Sequence, residues 1–332
     1  MDNDKTLKRK SISLIAKNLI LLLSVAVTGV IGALSWFSNN TTATANGISV
    51  SCKAPDGLEI AVVEHGAEAP KVYTEGSVML SSDEGGLLEN LYLSEVTGSG
   101  ENDSFYKPKL TQSQGIAKPD DKTETPWDEA RANVDYISFD LYMRSKSEQT
   151  VSIAKTTKIA PASTVLTWSD GYDASAYNPS TAGNFSRDCV VGAVRFSMVD
   201  STSNHKRKLL WIPAPNIFMN TTETPFTMET NKISGESFEH TYYTVDSNGA
   251  KKKNVLTSNN GVTVNSNVAS GSADYTLGTT KEIVKLKLDN KKPNEEYYVD
   301  YVTCHLWIEG EDSEARLALT GGKFSLNLDL EI

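Results

Sequence analysis

Between residues 134 and 144 the chain alternates: Ile137, Phe139, Leu141 and Met143 are apolar, while Tyr136, Ser138, Asp140 and Tyr142 between them carry polar groups. Successive side chains of a strand point to opposite faces, so this period of two predicts a half-buried strand. The C-terminus repeats the pattern, with Phe324, Leu326, Leu328, Leu330 and Ile332 set against Lys323, Ser325, Asn327, Asp329 and Glu331. A closing strand with one wet face is expected there. Shorter runs predict further strands at 47–53, 58–64, 151–154, 164–168, 189–199, 208–212, 240–245, 283–288 and 297–308, with Pro213 and Pro215 ending the one that holds Trp211. Alternation rather than solid apolar runs points to antiparallel pairing. Many short strands with few helices between them predict an all-β chain, an antiparallel β-sandwich of jelly-roll-like architecture. One short helix is expected at 313–319, with Asp312 as its N-cap, Glu314 in its first turn and Gly321 as its stop.

The N-terminus breaks this pattern. Residues 19–37 carry no charge, and eleven of these nineteen are Leu, Ile, Val or Phe. At about −0.3 to −0.6 kcal/mol each, they favour membrane insertion by roughly 3 to 7 kcal/mol. Lys5, Lys8, Arg9, Lys10 and Lys17 precede the run, and the rest of the chain carries 27 basic and 40 acidic residues. The positive-inside bias then leaves residues 1–18 in the cytoplasm and sends the acidic remainder outside. A helix of this length reaches about 28 Å, close to the hydrocarbon thickness of a bilayer, which suits an uncleaved anchor. Ala33 and Ser35 equally suit a signal-peptidase cut that releases a chain starting near Trp36. Both outcomes follow from the same residues: a protein held in the cell membrane through residues 19–37 with an extracellular C-terminal domain, or a secreted one.

A polar linker at 38–46 leads into a body at 47–332, long enough for a large core. Two stretches poor in core-forming residues, near 98–128 and 256–280, read as long surface insertions or as a boundary between two sandwiches. The net charge of −10 argues against nucleic acid as a partner. Cys52, Cys189 and Cys304 are too few and too widely spaced for a disulfide framework and read as small buried hydrophobes.

Catalytic chemistry leaves little trace. His65, His205, His240 and His305 are scattered, with no i, i+4 pair to present two imidazoles to zinc. There is no Gly-x-Ser-x-Gly elbow, glycine-rich phosphate loop or Cys-x-x-Cys pair, so no catalytic residue is assigned. The acidic turn of Glu309, Glu311, Asp312 and Glu314 around Gly310 offers oxygen ligands to Ca²⁺, the one cofactor these residues suggest, and serves equally as a solvated strand-to-helix connection. Asp170-Gly171-Tyr172-Asp173 reads as a tyrosine-bearing turn, and 205–208 and 251–253 as basic hairpin tips. Tyr297, Tyr298, Tyr301 and Trp307 crowd one strand, where aromatics build a core and its rim or stack on sugars and peptides.

The segment Ser35-Trp36-Phe37-Ser38-Asn39-Asn40, followed by Ala45-Asn46-Gly47-Ile48-Ser49-Val50, resembles exported Gram-positive surface proteins of the TasA and camelysin type over roughly the first fifth of the chain. The runs 136–142 and 306–310 look like strands of exported relatives of that type. The resemblance implies a jelly-roll ectodomain, processing by a dedicated signal peptidase and a surface or matrix role. It brings no metal-binding pattern onto these residues. The expected function is therefore a cell-surface or extracellular-matrix structural protein that self-associates, with a carbohydrate- or peptide-binding ectodomain as the alternative and an exported hydrolase third.

Overall fold

A computed structural model describes residues 42–52, 57–80, 88, 93–101, 104–108, 127–161, 165–167, 184–186, 189–201, 206–213, 233–234, 237–245, 251–257, 262–264, 275–287, 295–310 and 320–332. The apolar run 19–37 and the expected helix 313–319 lie outside these residues, and no helix among the described residues is long and apolar enough to cross a membrane.

The described chain is almost entirely β. In order its strands are β1 (Thr42–Cys52), β2 (Glu59–Glu64), β3 (Thr74–Glu75), β4 (Ser77–Leu80), β5 (Glu95–Gly98), β6 (Phe105–Pro108), β7 (Trp127–Glu129), β8 (Ile137–Ser145), β9 (Gln149–Ile153), β10 (Lys158–Pro161), β11 (Val165–Thr167) and β12 (Asn184–Ser186). A five-residue helix, α1 (Cys189–Ala193), precedes β13 (Val194–Asp200), β14 (Arg207–Ile212), β15 (Ile233–Ser234), β16 (Ser237–Val245), β17 (Lys251–Thr257), β18 (Val262–Val264), β19 (Tyr275–Thr276), β20 (Lys281–Leu286), β21 (Tyr298–Glu309) and β22 (Thr320–Glu331).

Two sheets carry most of these strands. The seven-stranded sheet runs β19-β10-β22-β1-β4, and β9 extends β22 past β10 and carries β20. The ten-stranded sheet is centred on β21. On one side of β21 lie β13, β14 and β18; on the other, β8, β2 and β3 follow residues Tyr298–Leu306, and β5, β6 and β7 take over at Ile308 and Glu309. Three pairings are parallel, β1·β22, β14·β18 and β21·β5, so the sheets are mixed where alternation alone suggested antiparallel neighbours. Alternation reports how many faces of a strand are buried, not the direction of its neighbour.

Apolar faces of both sheets enter one hydrophobic cluster, which includes Ile48, Val50, Phe324 and Leu326 from one sheet and Phe139, Leu141, Val302 and Leu306 from the other. Cys304 is buried within it, and burial drives its thiol pKa well up. A second, smaller cluster of Val96, Phe105, Ala130, Tyr136, Leu210, Ile212 and Trp307 lies on the opposite face of the ten-stranded sheet. The expected strand 189–199 begins instead as α1. The fully buried Arg195 donates through Nη1 to the Gly192 carbonyl at 2.7 Å and the Val194 carbonyl at 2.9 Å, satisfying acceptors that a helix end leaves open.

Leu326→Ala, which empties a fully buried site, is expected to lower unfolding stability in urea by about 2–5 kcal/mol. Met79→Ala, at an edge-strand side chain 73% exposed, should shift it by less than about 0.5 kcal/mol. Equal shifts for the two would contradict the placement of the core.

Candidate functional site

The residues with chemistry gather on the face of the ten-stranded sheet that turns away from the main cluster. On β21 this face carries Tyr301, Thr303, His305, Trp307 and Glu309; register puts Tyr142, Asp140 and Ser138 of β8 beside the first three. From the other side β13 contributes Arg195 and Ser197, opposite Trp307 and His305. Half of this face is covered and half is open.

In the covered half, Phe105 of β6 packs 5.0 Å from Trp307, 5.5 Å from His305 and 4.2 Å from Tyr136, centroid to centroid. His240 of β16 is fully buried, and its Nε2 donates to the Gly98 carbonyl at 3.0 Å. Its Nδ1 is therefore the unprotonated nitrogen, and it has no hydrogen-bond partner among the described residues. Burial first, and the nearby Arg195 charge next, lower the His240 pKa to about 3. Glu309, also fully buried, accepts the Trp307 indole N–H at 3.0 Å and stands 3.8 Å from His240 Nε2. Two glycines let the covering layer lie close. A Cβ on Gly98 would sit 2.5 Å from the Phe105 ring, and one on Gly100, at φ +63, would sit 2.7 Å from the Trp307 ring.

At the boundary, Asp140 is 3% exposed and accepts from His65 Nδ1 at 2.8 Å and from Thr303 Oγ1 at 2.8 Å. Ser138 Oγ contacts His305 Nδ1 at 3.2 Å. The Asp140 carboxylate orients a partly exposed imidazole, the first half of a general-base arrangement. Nearby, Lys107 donates to Asp135 at 2.7 Å. Burial pushes the Asp135 carboxyl up, yet the hydrogen bonds from Lys107, the Arg131 N–H and Ser94 outweigh it and hold the pKa below its ordinary value.

The open half is tyrosine. Tyr142 and Tyr301 stack at 4.6 Å with 21° between their planes. The Arg144 guanidinium lies 4.1 Å from the Tyr73 ring centre and 4.2 Å from that of Tyr297, and it bonds Glu59 through Nε at 2.7 Å. Burial, then the neighbouring Tyr301 and Asp140, push the Tyr142 phenol up to about 12.

Of the acidic turn read as a Ca²⁺ site, only Glu309 falls among the described residues, and its carboxylate faces the second cluster. Glu311, Asp312 and Glu314 lie outside them, as do His205 and 170–173. Among the described residues no group of three or more His, Cys, Asp or Glu is placed to hold a metal ion. The alternation of 134–144 suggested a wet face for Tyr136, Ser138 and Asp140, but all three are buried because the second layer covers them. Trp307 and His305 at alternate positions of β21 were the signal for that layer, since neither suits a purely solvated strand face.

Compared with known proteins, the chain matches no protein-family profile, no curated protein and no solved structure at significance.

Gly100→Ala should cost about 1–3 kcal/mol more than Gly278→Ala, because both glycines have positive φ but only Gly100 faces a side chain within 4 Å. Equal costs in urea unfolding would contradict the close approach. A second test uses acid. The unfolded His240 imidazole takes up a proton below its ordinary 6.5, and the folded one only near 3, so its contribution is complete above pH 6.5 and is lost as pH falls between these values. Stability should drop by up to about 1.4 kcal/mol per pH unit in this window, and His240→Gln should flatten the slope. An unchanged slope in that variant would contradict the assignment.

Proposed function

We propose that the chain is an exported cell-surface or extracellular-matrix structural protein, a jelly-roll-like β-sandwich that assembles by exchanging its first strand between copies. The observation that carries this reading is the placement of β1. It lies between β22 and β4, parallel to the first and antiparallel to the second, at one end of the folded unit's sequence. Ile48 and Val50 are fully buried, Ser49 Oγ donates to Asn327 at 2.7 Å and Ser51 Oγ to Asp329 at 2.6 Å. Without β1, the main cluster and the edges of β22 and β4 would be open, and an identical strand from a second copy meets the same apolar sockets and backbone groups.

The sequence supplies the setting. The apolar run 19–37 ends a few residues before β1, so it tethers this strand to the membrane, or a cut near Trp36 frees it. The resemblance of residues 35–50 to exported surface proteins of the TasA and camelysin type supports the same setting. The acidic body suits soluble export rather than nucleic-acid binding.

Strand exchange has a covalent readout. Ser49 and Asn327 are register partners, so a cysteine at each position should form a disulfide when the strand is seated. Mixing a Ser49→Cys chain with an Asn327→Cys chain at high concentration under oxidising conditions is expected to give a mixed disulfide that neither variant forms alone, with higher-order species in sedimentation and electron microscopy. Absence of the mixed adduct together with strictly monomeric sedimentation would refute the proposal.

A further inference from the structure

The open half of the outer face is a tyrosine platform that no other element covers among the described residues. In register across the sheet, Arg144 of β8 is flanked by Glu59 of β2 and Val299 of β21, and Tyr142 by Ala61 and Tyr301. Tyr73, next to β3, and Tyr297, next to β21, close on Arg144 from two sides. From β3 to β21 there are three inter-strand steps of about 4.8 Å, so the platform is about 14 Å across. Ala61 also lines an open groove of about 460 Å³ with Val63, Pro70, Val72 and Thr74. Tyr301 stacks on one face of Tyr142, and on the other side the small Ala61 leaves Tyr142 bordering this groove, an aromatic wall that suits an extended ligand.

Charge narrows the ligand. Arg144 is matched by Glu59, and Lys146 by Glu296 at 2.6 Å, so the two cations among the tyrosines have carboxylate partners, and Lys71 on the groove is the one further cation among the groove's lining residues. Burial raises the pKa values of Tyr73, Tyr142 and Tyr301, leaving their phenols protonated as hydrogen-bond donors. The Glu59 and Glu295 carboxylates near Tyr73 repel polyanions, and exposed Glu75, two residues on from Tyr73, offers oxygen acceptors to hydroxyls. Uncharged rings, phenol donors and carboxylate acceptors complement a molecule that alternates C–H faces with hydroxyls.

We infer that the platform formed by Tyr73, Tyr142, Tyr297 and Tyr301 around Arg144 binds a neutral, extended hexopyranose polymer by stacking on sugar-ring faces and hydrogen bonding to their hydroxyls. This goes beyond strand exchange: the platform is on the ten-stranded sheet and β1 is in the other, so each activity can fail without the other.

The test is calorimetric titration of the full chain, held in a detergent without sugar headgroups, with cellohexaose, chitohexaose, polygalacturonate and a polyproline peptide. At least one neutral hexasaccharide should bind, and Tyr142→Ala/Tyr301→Ala should weaken binding at least tenfold while leaving the Ser49/Asn327 adduct of the strand-exchange assay intact. In the unsubstituted chain the same oligosaccharide should shield Tyr142 and Tyr301 from nitration, a readout independent of how the double variant folds. The inference is overturned if neither hexasaccharide binds at millimolar concentration, if polygalacturonate or the peptide binds instead, or if bound sugar leaves both tyrosines open to nitration.

Discussion

Every layer of this protein follows from the requirement that β21 be buried on both faces over its C-terminal half. One face is apolar and meets the seven-stranded sheet through Val302, Cys304, Leu306 and Ile308. The other holds Thr303, His305, Trp307 and Glu309, and from Thr303 to Glu309 these polar groups are removed from water too. A buried polar group without a partner costs about 1–3 kcal/mol, so a second layer can cover this face only because the sheet pairs its own polar groups. Glu309 takes the Trp307 indole, Asp140 takes Thr303 and His65, and Ser138 meets His305. These pairs within the sheet are what permit a dry cover, and Gly98 and Gly100 are where the chain comes close enough to provide it.

The cover ends where the partners end. Beyond Asp140 and Thr303 the same face becomes tyrosine, whose ring and hydroxyl are compatible with both protein and water. Arg144 and Glu59 neutralise one another there, so the open half is a wetted aromatic surface and not an ionic one. On the far sheet, β1 is the strand proposed to exchange. The strand is bonded along its length to β22, the last strand of the sequence, and to β4, so its seat is built from segments distant in the chain. The proposed surface recognition and the proposed strand exchange thus belong to different sheets.

Much of the strand architecture was legible because burial on one face writes a period of two into the sequence. The terminal strand is the plainest case: Phe324, Leu326, Leu328 and Leu330 are fully buried, while Lys323, Ser325, Asn327 and Asp329 keep contact with solvent. The period does not say how the opposite face is covered. Tyr136, Ser138 and Asp140 looked solvated for that reason, and the layer over them comes from β5–β7 and β16. Part of that layer lies in the stretch 98–128, where Phe105 is fully buried, and Tyr275 is likewise buried within 256–280. Single aromatic anchors in polar surroundings leave no periodic trace. The pairing of Tyr142 with Tyr301 was hidden because 159 positions of sequence separate two residues that only register brings together.

One face of the ten-stranded sheet is dry at one end and wet at the other. Hydroxyl-radical footprinting of the native chain, read residue by residue by mass spectrometry, measures this most directly. Tyr142 and Tyr301 should oxidise rapidly, with Phe105, Tyr136 and Trp307 unmodified until denaturant is added. Comparable oxidation of both sets in the native protein would mean that no second layer covers β21.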